Sequence, residues 1–244
     1  MEPASDSYAP EVQASPTLIQ RARALTEVLV VALGGYAIIL LMAPAFHLAG
    51  QDLLSRPRLL VFVLIVEGTL SMAFVFLFLY LNGERPAKFG FLWRRPVREI
   101  GIGLLVVPVL FLGTVAVGLF FRQFFPQYVT EENPLLQIIQ SRDVLQLFLF
   151  SSIYVGGFKE EIQRAFVLVR FGEFLGGYGV GLAIWTVFFG VGHLIQGVDN
   201  AFGAGLLGLM FGIVFLWRKC LIAPILAHAV YDIAVLLIFW NLLV

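Results

Sequence analysis

The chain has 244 residues, 60% of them apolar and only 13% charged, with a mean hydropathy of +0.92. Soluble domains are about half apolar and about a quarter charged, so lipid is the expected main solvent. A net charge of zero leaves no overall basic field to draw nucleic acid, and the single cysteine, Cys220, excludes an intramolecular disulfide framework and any multi-cysteine metal site.

Residues 1–20 hold Pro3, Pro10 and Pro16 among Ser, Ala and acidic residues. The basic start followed by an apolar run that marks a signal peptide is not there, and the stretch reads as a disordered tail. Residues 21–244 read as one membrane-embedded domain. A helix needs about 20 apolar residues to cross the hydrocarbon core. Runs at 26–48, 59–82, 99–121, 145–170, 177–196, 199–217 and 221–243 meet that length. They are continuous and lack the alternation of a β-barrel. The expected fold is all-α, a polytopic transmembrane bundle of about seven or eight helices.

Cation placement gives an orientation. With the N-terminus inside, the inner segments hold Arg21, Arg23, Arg85, Lys88, Arg94, Arg95, Arg98, Arg170, Arg218 and Lys219, against Arg56, Arg58, Arg122 and Arg142 outside. Ten against four favours a cytoplasmic N-terminus. Segment 122–143 carries Pro126, Glu131, Glu132, Asn133 and Pro134, then Leu135, Leu136, Ile138 and Ile139. Two readings are open: a loop leading into an interfacial amphipathic helix, or a plain connection.

Charged groups near a bilayer centre cost at least about 2.5–3.5 kcal/mol each. This chain nevertheless places Lys159, Glu160, Glu161 and Arg164 together in Gly-Gly-Phe-Lys-Glu-Glu-Ile-Gln-Arg-Ala-Phe, with apolar runs on both sides. Later spans hold His193 and the pair His228 and Asp232. Glu160 and Arg164 are i and i+4, Glu161 and Arg164 i and i+3, Phe189 and His193 i and i+4, and His228 and Asp232 i and i+4. Each set therefore projects from one helix face. Taken singly, each motif is also a span-end salt bridge or a satisfied core histidine. Three of them in three apolar segments point to one interior cavity in which the groups solvate one another.

At these residues the sequence resembles the CPBP family of intramembrane proteases, which includes the type II CAAX prenyl endopeptidases and the bacterial Abi-type proteins. The matching residues are Glu160-Glu161 with Arg164, Phe189-Gly-Val-Gly-His193 and His228-Ala-Val-Tyr-Asp232, in the family's order, and the resemblance covers roughly residues 100 to 240. The segment Lys88-Phe-Gly-Phe-Leu-Trp-Arg-Arg-Pro96 is similar to the loop before the family's core. One departure stands out: two residues, Ile162 and Gln163, separate the Glu pair from the Arg, where the family usually has three. Aligned on the Glu pair, Glu160 is the first Glu. Aligned on Arg164, Lys159 takes that place, and a Lys is no carboxylate base. The first alignment is favoured, with Glu161 one residue away.

The resemblance implies an intramembrane endopeptidase acting on a membrane-tethered or prenylated peptide, in a bacterial-type plasma membrane. Glu160 or Glu161 with His193 would activate water, and His228 with Asp232 would hold or polarise the carbonyl oxygen. An ionised Asp232 only accepts hydrogen bonds, so it would orient His228; Arg164 would keep a Glu ionised. Glu160, His193 and His228 also make a plausible set for a divalent metal such as zinc, although the usual His-Glu-x-x-His spacing is absent. Other readings are a non-catalytic scaffold or regulator, favoured by the Lys159 alignment, and a proton-linked carrier, for which no inverted repeat is evident.

Remaining features read as structural. Gly208 and Gly212 form a small-residue packing face, and Pro224 sits in a first helical turn. Glu67 is a lone acid in the second span, facing the cavity or neutral and hydrogen-bonded. His47 lies near the end of the first span at the interface.

Overall fold

Thr17 opens the first helix. Its hydroxyl accepts from the Gln20 amide while the Gln20 side chain reaches back to the Thr17 amide, satisfying two orphan donors reciprocally, and α1 runs Leu18–Met42. Prolines start α2 (Pro57–Leu81) and α3 (Pro96–Phe124), where a missing N–H breaks no helical bond. The computed structural model describes residues 15–44 and 53–243. It continues through α4 (Pro134–Gln137), α5 (Arg142–Ser151), a π-helical stretch (Ser152–Glu160), α6 (Glu161–Phe174), α7 (Tyr178–Gly192), α8 (Val198–Arg218) and α9 (Ile222–Leu243). The described residues contain no strand, and the fold is the expected all-α polytopic bundle. His47 and residues 1–14 lie outside the described residues. α1 begins inside the stretch expected to be a tail.

Among the described residues five helices, α1, α2, α3, α8 and α9, are long and apolar enough to cross a membrane. Seven spans were expected, and the difference falls on two of them. The run 177–196 is a fifteen-residue helix, α7, followed by a short turn. The run 145–170 is a helix whose middle is π-helical and whose second half is sealed inside protein. From Glu161 to Phe171 its apolar character serves packing against other helices.

Every residue from Glu161 to Phe171 is buried, because α1, α2, α7, α8, the short helix Pro86–Phe89 and the π-helical stretch all pack against α6. A helix buried all round is normally apolar. This one carries Glu161, Gln163, Arg164 and Arg170, so each must find its partner inside the bundle. Gln163 donates to the Val31 carbonyl at 2.6 Å. Arg170 donates to Glu27 at 2.6 Å and to Glu84 at 2.9 and 2.5 Å, tying α6 to α1 and to the loop after α2. The outer ring is different in kind. Only 11% of the apolar window of α3 is buried against 56% of that of α8, and Leu105, Leu112 and Phe124 project outward.

Helix association in lipid gains little from the hydrophobic effect and depends on close packing and polar contacts. Gly208 and Gly212 supply the first: a Cβ there would lie 3.0 Å from Phe189 and 2.4 Å from Leu182 of α7. The segment 122–143 is a pinned connection. Thr130 bonds Asp199 at 2.6 and 3.2 Å, Asn133 bonds Gln196 at 3.3 Å, and Leu136, Ile138 and Ile139 join a core with Val61, Leu145 and Trp240. Gly197, at φ +106, lies so close to Thr130 that no side chain fits there.

Candidate active site

The π-helical stretch sets the site. Its wider turn carries Gly156 and Gly157 against α9: a Cβ at Gly156 would stand 2.5 Å from Asp232 Oδ2 and 3.5 Å from His228 Nε2, and one at Gly157 3.1 Å from the Ala229 Cβ. Two glycines in sequence thus let α9 approach closely enough to bring its His228–Asp232 face over the carboxylates that end the stretch. π-helical turns inside helices recur at functional sites.

The adjacent carboxylates have opposite surroundings. The Glu161 side chain is 0% exposed, and its Oε1 accepts from Arg164 Nη1 and, at 2.7 Å, from His228 Nδ1. The Glu160 side chain is 18% exposed, and its Oε2 stands 3.7 Å from His228 Nε2, beyond hydrogen-bond length. Asp232 Oδ2, on a side chain 30% exposed, is also 3.7 Å from that nitrogen. Glu160, Asp232 and His228 Nε2 therefore border one reachable gap, with Glu161 behind the imidazole. Arg164, wholly buried, completes the rear wall. Its guanidinium lies over Phe189 at 4.9 Å and Phe211 at 5.4 Å, and Phe211 also stacks on His228 at 4.3 Å.

Both histidines are oriented through Nδ1. His193, at the end of α7, has Nδ1 2.7 Å from the Phe189 carbonyl. A carbonyl only accepts, so Nδ1 carries a proton, and Nε2 is the acceptor in the tautomer this bond selects. The same logic holds for His228 on an ionised Glu161. Both rings pack on Phe189, at centroid distances of 4.6 and 6.3 Å.

Among the described residues no three His, Cys, Asp or Glu groups converge as metal ligands. In Glu160, His193 and His228, the trio expected to hold a divalent metal, the Phe189 carbonyl and Glu161 engage only the Nδ1 atoms of the two histidines, and a carbonyl or carboxylate on one ring nitrogen is the usual support of a histidine that ligates through the other.

Lys159 points elsewhere. It is buried, 3.0 Å from Glu67 Oε2 and 5.4 Å from the Tyr36 ring centre, and Glu67 Oε1 accepts from Ser71 at 2.7 Å. The lone acid of the second span is thus the counter-ion of the lone lysine of the fourth. Sequence reasoning named both and did not pair them. It also missed the Glu27–Arg170–Glu84 cluster and the aromatic cradle of Phe211, because nothing local links residues this far apart. The available signal was stoichiometric: Glu27 and Glu67, acids within apolar runs, demand buried cations. At the rim of that cluster Lys88 bridges Glu84 and Glu173, each at 2.7 Å. Burial pushes the Glu84 carboxyl up, but hydrogen bonds from Arg170 and Lys88 and their charges outweigh it and hold the carboxyl below its usual range.

Residues 141–234 match the family model described as type II CAAX prenyl endopeptidase, Rce1-like. No curated protein and no solved structure matches the chain. The matched segment runs from α5 into α9 and includes Glu160, Glu161, Arg164, His193, His228 and Asp232. These core helices of a multi-pass membrane protein are thus similar to the Rce1-like type II CAAX prenyl endopeptidases, the group that the order of the three motifs resembles.

Proposed function

We propose that the chain is an intramembrane endopeptidase that hydrolyses a peptide bond in a membrane-tethered or prenylated substrate. The observation that carries this reading is the unequal pair of carboxylates: a reachable Glu160 3.7 Å from the Nε2 of a histidine whose other nitrogen is held by a sealed Glu161.

Hydrolysis needs a base for water, a donor for the oxyanion and an acid for the leaving amine. Glu160 takes the proton from water as its oxygen attacks the carbonyl carbon. The same carboxyl returns that proton to the amine when the C–N bond breaks. His193, with Nε2 free to accept, helps align the water. His228, once protonated on both nitrogens, donates Nε2–H to the carbonyl oxygen, and Glu161 steadies it from behind. Arg164 keeps Glu161 ionised. Asp232 borders the gap and balances the imidazolium, while the orienting contact comes from Glu161. Lys159 is a structural cation paired with Glu67, which favours the alignment that makes Glu160 the first Glu. No step is routed through a metal.

The test is cleavage of a panel of membrane-tethered and prenylated peptides by purified protein in detergent, with Glu160→Ala, Glu161→Ala and His193→Ala alongside, each with and without chelator. Loss of cleavage in Glu160→Ala and His193→Ala, with the chelator lanes unchanged, is expected. Cleavage that persists in both variants, or that the chelator abolishes, would overturn this mechanism.

A further inference from the structure

A second polar site lies at the membrane face on which α1 begins, away from the carboxylates. The loop before α3, the first turn of α3 and the α8–α9 connection enclose a cavity of about 270 Å³, lined by Arg94, Arg95, Arg98, Arg218, Lys219 and Glu99. Five cations face one carboxylate, and Glu99 is already engaged by Arg218 at 3.0 and 2.5 Å. Among the described residues Arg94, Arg95 and Arg98 have no ion pair or side-chain hydrogen bond. The zero net charge of the whole chain conceals this local excess.

The cavity is built and held. Leu221 donates to the Gly90 carbonyl at 2.9 Å and the Cys220 thiol to the Leu92 carbonyl at 3.4 Å, which fasten its two walls together. Arg95 and Lys219 are the only described non-glycine residues with positive φ, at 50° and 51°, and both line it. Long side chains are uncommon in that region, and such outliers gather where the surroundings hold a site in place. Trp93 and Trp217 flank it, 80% and 64% exposed. Exposed tryptophan beside cations marks headgroup depth, and basic pockets between helix ends at that depth recognise anionic headgroups.

We propose that this cavity binds a phosphate anion, presented by an anionic phospholipid headgroup or free in solution. The full chain in detergent micelles is titrated with dioleoylphosphatidylglycerol, with zwitterionic dioleoylphosphatidylcholine and with inorganic phosphate at matched ionic strength, and thermal midpoint is followed. The Arg94→Gln/Arg98→Gln variant removes two exposed, unpaired cations, and its midpoint without ligand should equal that of the wild type. A saturable shift with phosphatidylglycerol but not phosphatidylcholine is expected, with the half-saturating concentration raised about thirtyfold in the variant, roughly fivefold per cation. Arg56→Gln/Arg122→Gln, at the opposite ends of the helices, should titrate like the wild type. A matching response to inorganic phosphate assigns the site to the free anion, and its absence assigns it to the headgroup. Equal shifts with both lipids, or an unchanged titration in Arg94→Gln/Arg98→Gln, would overturn the proposal.

Discussion

Glu160 and Glu161 are chemically identical neighbours, and their environments predict opposite outcomes for the same substitution. Glutamine keeps the shape of glutamate and removes its charge. In Glu161→Gln the wholly buried Arg164 loses its counter-ion, and His228 loses the anion at its Nδ1. Removing one partner of a buried ion pair costs about 3–5 kcal/mol, a fall in Tm of roughly 10 °C for a chain of this size. In Glu160→Gln no short contact is lost, since the His228 Nε2 stands 3.7 Å away on the open side. Stability should change by about 0.5 kcal/mol or less. Cleavage should fall roughly 100- to 10,000-fold, the usual effect of losing a general base. The assay pairs thermal unfolding in detergent with single-turnover cleavage of a tethered peptide. A Glu160→Gln protein that cleaves normally, together with a Glu161→Gln protein that unfolds at the wild-type midpoint, would refute the division of roles.

Lys159→Met should destabilise the fold by about 3–5 kcal/mol by stranding Glu67, and Lys159→Met/Glu67→Met should recover most of that loss; a double variant as unstable as the single one would mean that the pair does not act as a unit. Gly156→Ala places a methyl group 2.5 Å from Asp232 Oδ2, so cleavage should drop at least about tenfold, and in an Asp232→Ala background the same change should add little. For Glu84, whose folded carboxyl titrates below its ordinary value, the stabilisation is full above that value and is lost as pH falls through the folded one. Glu84→Gln should therefore flatten the decline in thermal midpoint below about pH 4.5 and leave its slope near neutrality unchanged.

The lipid environment, the helical class and the identity of the polar core were legible in the sequence. Long apolar runs can satisfy their backbone only as helices in a bilayer, and Glu160, Glu161, Arg164, His193, His228 and Asp232 stand out because charge is costly there. Helical spacing also foretold the Glu161–Arg164 contact, an i, i+3 neighbour on one helix. Hydropathy could not tell that the second half of the run 145–170, from Glu161 on, is sealed by its neighbours, because apolar surface serves protein packing and lipid contact equally. Nor could it choose between the two glutamates. That choice rests on which carboxylate the helix turns toward α9 and α8 and which toward the gap, and one residue of rotation in a helix with a π-helical segment exchanges them. The pairing of Lys159 with Glu67, of Arg170 with Glu27 and Glu84, and of His228 with Glu161 joins residues 92, 143, 86 and 67 positions apart. Only the packed bundle decides such partners, because ion pairs depend on distance in space, and sequence separation does not report it.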